Sequence, residues 1–314
     1  MGSKTTRLAC HPENGHANPQ RSPTYPDIAA RKVAEREERL ARYSEWRVTD
    51  PGPHVSNVVP LLHSKLTARE RKIVNQDVCA LAGKIANQTF TSVEVLTAFC
   101  KAAVASQDLT NSLTEIFFEE GFTRAKELDQ HLERTGQVVG PLHGVPVSIK
   151  DHILVKGHDT ASGYASWAFK TVADRDAAVV KILRQAGAIL YVKTANPQTL
   201  LVRSHDLYSG SSEQSLITPQ CLETNNNIYG RTVNPYNRRL SPGGSSGGEG
   251  ALIAARGSPL GVGTDIGGSI VSEPSQCPSL AFIHVINLNS ASPPPGAACM
   301  VSKHPSPGCH TRGF

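Results

Sequence analysis

The chain has 314 residues, 39% of them apolar and 19% charged, which is enough to bury one large core or two small ones. No run approaches the ~18 apolar residues of a membrane span, and the start lacks the basic-then-apolar pattern of a secretory leader. The net charge of +5 is scattered and not gathered into a basic groove interleaved with aromatics, so nucleic acid is not expected as a partner and the cytoplasm is the expected compartment.

The cysteines, seven in number, are odd and include no C-x-x-C pair, so they read as free thiols and not as a disulfide framework or a zinc site. Neither a metal nor a cofactor is expected. Met1-Gly2-Ser3-Lys4-Thr5-Thr6 fits the short pattern for myristoylation at Gly2. One acyl chain gives only marginal attachment, and the stretch reads instead as a disordered start with no stable membrane anchor.

In chain order, residues 1–26 are rich in Pro, Asn, His and Ser without periodicity and read as a floppy lead-in. Ile28 to Arg47 is dense in Ala, Glu and Arg, and Ala29, Val33, Leu40 and Tyr43 make a thin apolar stripe. That predicts a mostly solvated helix packed on something larger, ended by Asp50-Pro51-Gly52-Pro53. Residues 67–135 read as helical, with a capping box at Thr67-x-x-Glu70 and a helix start at Thr91-Ser92 before Val93, Val95, Leu96 and Phe99. The period then changes. In Gly144–Lys150, Val145, Val147 and Ile149 alternate with Pro146, Ser148 and Lys150, which predicts a strand with Lys150 and Ser148 on one face. A helix around Asp176–Gln185, capped by Gly187, and a buried strand over 188–192 complete a strand–helix–strand unit, hence an α/β sheet with parallel pairing.

Two glycine-rich stretches follow: Ser241-Pro242-Gly243-Gly244-Ser245-Ser246-Gly247-Gly248-Glu249-Gly250 and Gly261-Val262-Gly263-Thr264-Asp265-Ile266-Gly267-Gly268-Ser269. Glycine lets the backbone approach a ligand closely, and a serine in such a loop presents its hydroxyl beside unhindered N–H groups. Acyl transfer needs that pairing of nucleophile and oxyanion hole. The first stretch lacks the Gly-Lys-Ser/Thr ending of a phosphate loop, and no acidic residue follows the second as a dinucleotide fingerprint requires.

Taken with Pro141-Leu142-His143-Gly144-Val145-Pro146-Val147-Ser148-Ile149-Lys150-Asp151, Lys193-Thr194-Ala195-Asn196-Pro197-Gln198 and Gly230-Arg231-Thr232-Val233-Asn234-Pro235-Tyr236, the two loops resemble the amidase signature family in its proper order. Within that family the chain is most similar to fungal acetamidase-type amidases and fatty-acid-amide hydrolases, over about Leu66 to Ile270. The resemblance implies a mixed, twisted β-sheet covered by helices, hydrolysis of small-molecule linear carboxamides through an acyl-serine, and no cofactor. It makes Ser269 the nucleophile, Ser245 the bridging serine after a cis peptide, and Lys150 the base, which burial must keep neutral. It places the oxyanion hole at the N–H groups of Ile266, Gly267, Gly268 and Ser269, and Leu200 along the acyl pocket. His143, His152 and His158 are then structural, and Asp265 and Arg231 fix loops. The oligomeric state is not legible.

Two stretches depart from the family. Residues 202–220 interrupt a segment that otherwise runs from Pro197–Leu201 straight into Cys221-Leu222-Glu223-Thr224-Asn225. They form an in-frame block that can begin with the GT of a valine codon and close with the AG of a glutamine codon. After Ile270 the family motif is replaced by an aperiodic tail rich in Pro and Ser. Read from the third base of each codon, Ser290 onward can spell Arg-Val-Pro-Ala-Ala, and Cys299-Met300-Val301-Ser302-Lys303 can spell Leu/Met-Tyr-Gly-Phe-Lys. Both departures read as unspliced introns. The expected organisation is a lead-in and helix over 1–65, the N-terminal part of an amidase domain over 66–270 with an insertion at 202–220, and a non-native, disordered tail over 271–314. The fold would be incomplete, lacking its C-terminal half. The competing readings are an inactive fragment and the related glutamine-hydrolysing subunit that serves tRNA amidation; the Lys-Thr-Ala-Asn-Pro-Gln-Thr-Leu stretch speaks against the latter.

Overall fold

The computed structural model describes residues 23–200, 223–265 and 269, and the backbone of 281–286 and 298–302. Helix α1 (Tyr25–Ala41) and a 3₁₀ turn (Ser44–Trp46) lead into α2 (Val59–Leu62), α3 (Ala68–Val74), α4 (Val78–Ala86) and α5 (Ser92–Thr110). Strand β1 (Leu113–Ile116), α6 (Phe118–Thr135), β2 (Pro146–Lys150), α7 (Ala178–Gln185) and β3 (Ile189–Thr194) follow. The short pair β4 (Asn225–Asn226) and β5 (Gly230–Arg231) precedes α8 (Gly247–Ala254), β6 (Gly261–Asp265), β7 (Ala281–Ile286) and β8 (Ala298–Ser302).

The main sheet has the order β1-β3-β2-β6-β7-β8. Its four middle strands run parallel, and β1 and β8 pair antiparallel at the two edges. A mixed sheet with helical crossovers is thus what the strand–helix–strand pattern implies. The registers Lys150↔Thr194 and Ile149↔Val262 bring the carboxyl ends of β2, β3 and β6 together, the usual location of a site in an open parallel sheet.

Local sequence sets the helix starts. Thr67 and Thr91 each accept the amide of the residue three on and receive its carboxylate at their own N–H, so both capping boxes are present. Helix α5 is buried on nearly every side: Val95, Ala98, Phe99 and Ala102 pack with Val147, Ile149 and Val262 of the sheet, while Leu96, Cys100 and Val104 pack with Ile189 and Tyr191. A helix apolar all round belongs in the interior. No described helix is long and apolar enough to cross a membrane.

Three readings need amendment. The helical stretch over 67–135 contains a strand, β1, because Asn111 turns the chain in the left-handed region (φ 54°) and Leu113–Ile116 then extends along β3. Helix α1 docks by charge as well as by its apolar stripe: Leu40 is fully buried, Val33 and Tyr43 pack against neighbouring apolar clusters, and Lys32 and Arg36 are buried on the same helix. Within 271–314, expected to lack structure, Ala281–Ile286 adds to the sheet beside β6 and Ala298–Ser302 pairs with it. The run Phe282-Ile283-His284-Val285-Ile286 is β-branched and aromatic enough to cover the edge that β6 otherwise leaves bare. The insertion at 202–220, Gly2 and the rest of the tail lie outside the described residues.

Candidate active site

Lys150 is the last residue of β2 and is fully buried. Alternation along the strand sends Val147 and Ile149 into the apolar cluster and turns Ser148 and Lys150 toward α8. The Lys150 Nζ lies 2.7 Å from Ser245 Oγ, 2.8 Å from Ser246 Oγ, 3.2 Å from Thr264 Oγ1 and 3.3 Å from Thr264 O. Three hydroxyls and a carbonyl, from the first Gly/Ser loop and from β6, thus converge on one amine. The Gly244–Ser245 peptide is cis.

The loop carrying Ser245 is pressed against its neighbours. A Cβ on Gly244 would fall 2.5 Å from Glu223 O, and one on Gly248 would strike the backbone N and O of Ala195. Gly248 N–H donates to Ala195 O (3.1 Å) and Gly247 N–H to Thr224 Oγ1 (3.0 Å), so β3 and the 223–232 segment anchor the start of α8. Thr232 and Val233 tie that segment to the end of α5 through Asn111 O (2.8 Å) and Thr110 O (3.0 Å).

Of the residues singled out in the sequence, the structure brings Lys150 and Ser245 into direct contact. Ser269 is buried and is joined to them through the backbone, its carbonyl accepting from Ser246 N–H at 3.3 Å. Ile266, Gly267 and Gly268 lie outside the described residues. Leu200 sits half-buried on a separate loop, in the 3₁₀ turn Gln198–Leu200, its N–H donating to Pro197 O (3.1 Å). Arg231 pairs with Glu223 (2.5 Å), a contact that fixes the loop.

A second buried lysine, Lys193, is distinguished by its surroundings. It donates to Asp159 O (2.8 Å) and Thr160 Oγ1 (3.0 Å) and lies 3.7 Å from the Asp151 carboxylate. Burial lowers its pKa, with Asp151, Glu115 and Asp159 opposing. Asp151 is itself held by Thr114 Oγ1 (2.9 Å) and by Ser162 N–H (2.7 Å), which fixes the chain just beyond Lys150.

The sequence reading missed Ser246, Thr264 and Glu249. Ser246 and Thr264 stand inside the two Gly/Ser loops, so adjacency was a usable signal. His143 and His158 have structural partners: Val139 N–H donates to His143 Nδ1 (3.0 Å), and His158 stacks on Phe117 and meets Glu120 (3.2 Å). His152 is closer to the site, its Nε2 lying 3.2 Å from Thr264 Oγ1, and burial together with Lys150 and Lys193 pushes its pKa down to about 3. It is therefore a neutral imidazole at physiological pH. Glu249, in the first turn of α8, is fully buried, and burial raises its carboxyl to about 8 against the opposing effects of Ser148, Thr194 and Lys150.

A buried amine thus stands at the end of a parallel strand, in contact with two adjacent serines of a glycine-rich loop. The amidase family model matches residues 94–211 and 217–280, more than half of the chain, and the chain belongs to that family. The matched residues run into the 202–220 stretch and ten positions past Ile270, leaving out 212–216. An acetamidase of Emericella nidulans is 44% identical over 241 residues, covering 76% of this chain and 40% of that protein. An acetamidase of Aspergillus oryzae is 42% identical over 251 residues, covering 79% of this chain and 42% of the relative. Among solved structures, a fatty acid amide hydrolase superposes with a TM-score of 0.68 at 34% identity, over 80% of this chain and 43% of that one. The chain thus spans about two-fifths of the length of the relatives it matches.

Proposed function

We propose that this protein is an amidohydrolase that cleaves linear carboxamides to a carboxylic acid plus ammonia or an amine, through an acyl-enzyme on Ser269. The observation that carries the reading is the contact of the buried Lys150 Nζ with Ser245 Oγ at 2.7 Å, in a chain of the amidase family. In this scheme Ser269 Oγ attacks the carbonyl carbon and passes its proton to Ser245 Oγ, which gives its own to the neutral Lys150 amine. The same path, reversed, protonates the departing nitrogen. Water then attacks the ester, Lys150 and Ser245 again carrying the proton, and the acid leaves.

Burial supports the role of Lys150, since removal from water disfavours the ammonium form. The N–H groups of Ile266, Gly267, Gly268 and Ser269 are the proposed donors to the oxyanion, and Leu200 a proposed wall of the acyl pocket. The acetamidase relatives favour short acyl groups, and the fatty acid amide hydrolase structure marks long ones as the alternative. The cytoplasm is the proposed location, and the stretches 202–220 and 271–314 are proposed to be unspliced intron sequence.

Acetamide and a long-chain primary amide, supplied to protein expressed from the spliced message, test the reading. Ser269→Ala is expected to abolish ammonia release, and Lys150→Ala to lower it roughly 10²–10⁴-fold. Wild-type rates in Ser269→Ala contradict the assignment.

A further inference from the structure

Glu249 is a buried acid that the scheme above does not use. Its Oε2 lies 2.5 Å from Ser148 Oγ and its Oε1 receives the Thr194 hydroxyl at 2.8 Å. Ser148 stands two residues before Lys150 on β2, and Thr194 is Lys150's register partner on β3. The third wall is Gly261 of β6, where a Cβ would strike Glu249 Oε2, so this carboxyl occupies the space a side chain would need. The helix that carries Glu249 begins directly after Ser245 and Ser246. One carboxyl therefore ties together the three strands and the helix whose ends hold Lys150, Thr264 and the serines.

We infer that Glu249 is a positioning residue for Lys150, and that it acts in this role as a neutral carboxylic acid. The hydrogen bonds accommodate this form. Thr194 donates to Oε1. Ser148 Oγ lies 3.4 Å from Leu260 O, so its hydrogen has an acceptor there and its oxygen is free to receive a proton from Oε2. A buried carboxyl and a buried amine held by the same strands can stand as acid and amine or as carboxylate and ammonium. Full burial disfavours the second, which puts two charges where water cannot reach them. The raised carboxyl agrees, burial being the largest cause. Tyr191 on β3 lies within reach of the Glu249 charge, and its hydroxyl, which donates to Gly257 O, is kept protonated by burial, which holds the phenol well above its ordinary range. Asp265 ends β6 four residues beyond Gly261, over 10 Å along an extended strand at ~3.3 Å per residue.

This inference rests on Lys150 acting as a base, and its test separates the two. Infrared difference spectra of the 314-residue protein, with glutamate carrying a ¹³C carboxyl, read the proton without any turnover. The expected result is a carboxylic-acid band at pH 7 that is absent from Glu249→Gln and bleaches in wild type as the pH passes about 8. A wild-type spectrum at pH 7 with only carboxylate bands overturns the inference, whether or not the variant folds. Rates of serine labelling by a fluorophosphonate, on protein from the spliced message, test the positioning role. Glu249→Leu is expected to slow labelling at least tenfold. Glu249→Gln, which reproduces the donor and acceptor of the neutral acid, is expected to restore most of the rate and to abolish the loss of rate above pH 8. A Glu249→Gln variant as slow as Glu249→Leu with an unchanged melting temperature also overturns it. Failure of Ser269→Ala to block labelling would instead remove the catalytic reading and leave the infrared result standing.

Discussion

Replacing Lys32 by Met is expected to destabilise the protein by about 3 kcal/mol. Lys32 is 2% exposed on α1, and its Nζ lies 2.6 Å from Glu115 Oε1, 3.1 Å from Asp159 Oδ2 and 3.1 Å from Glu35 Oε2. Burial works against its charge, yet Glu115 and Asp159 outweigh it and raise the ammonium above its ordinary range. Methionine fills the volume of the aliphatic stem, so the loss is electrostatic. Breaking a buried pair by removing one partner costs about 3–5 kcal/mol because the other charge stays behind. The survivors here keep some partners: Arg39 Nη1 holds Glu115 Oε2 at 2.7 Å, and Asp159 receives Phe169 N–H (2.6 Å) and Thr171 Oγ1 (2.9 Å). That sets the expectation at the low end of the range. Urea denaturation at pH 7 measures it, and hydrogen exchange at the Phe169 amide is expected to quicken as the Asp159 loop loosens. A change below about 1 kcal/mol, the ordinary scale for exposed ion pairs, would refute the claim that α1 is fastened by buried charge.

Other expectations follow from the same contacts. Because the Glu249 carboxyl is raised from 4.5 to about 8, its contribution is fully present below pH 4.5 and is lost as the pH rises toward 8. Wild type should therefore lose stability across that window by up to about 1.4 kcal/mol per pH unit relative to Glu249→Gln, and parallel stability–pH curves for the two would contradict this. Gly248→Ala sets a Cβ against backbone atoms of Ala195 that cannot yield, so a loss of about 3 kcal/mol, read from thermal melts, is expected where an ordinary surface site gives under 0.5. Message from the source is expected to lack codons 202–220 and to skip from Ile270 into the alternative frame near Ser290. Abundant ribosome-bound message that keeps both stretches would contradict that.

The legible part of the sequence was what local physics controls. Alternation in Val145–Lys150 placed Lys150 on the polar face of a strand, and the capping boxes at Thr67 and Thr91 marked helix starts. The Gly/Ser runs located the loops that meet Lys150. What escaped depends on partners far away in sequence. Lys32 and Arg36 look solvated until Glu115 and Leu113 O, some eighty residues on, are seen to receive them. Strand β1 is four residues of unremarkable pattern that only pairing with β3 extends. Glu249 reads as an ordinary acid in the first turn of a helix, and only the convergence of β2, β3 and β6 shows it to be buried. The tail strands were missed because a run judged by frame and composition was not weighed as a partner for β6.

The measurement that bears most directly on the catalytic set is the site of covalent capture by a fluorophosphonate, mapped by peptide mass spectrometry on protein from the spliced message and on the 314-residue chain. A single adduct on Ser269 is expected in the former, lost in Ser269→Ala and slowed at least a hundredfold in Lys150→Ala. In the 314-residue chain, where Lys150 is buried, the adduct is expected on the same serine. An adduct on Ser245 in place of Ser269, or labelling indifferent to Lys150, would contradict the account.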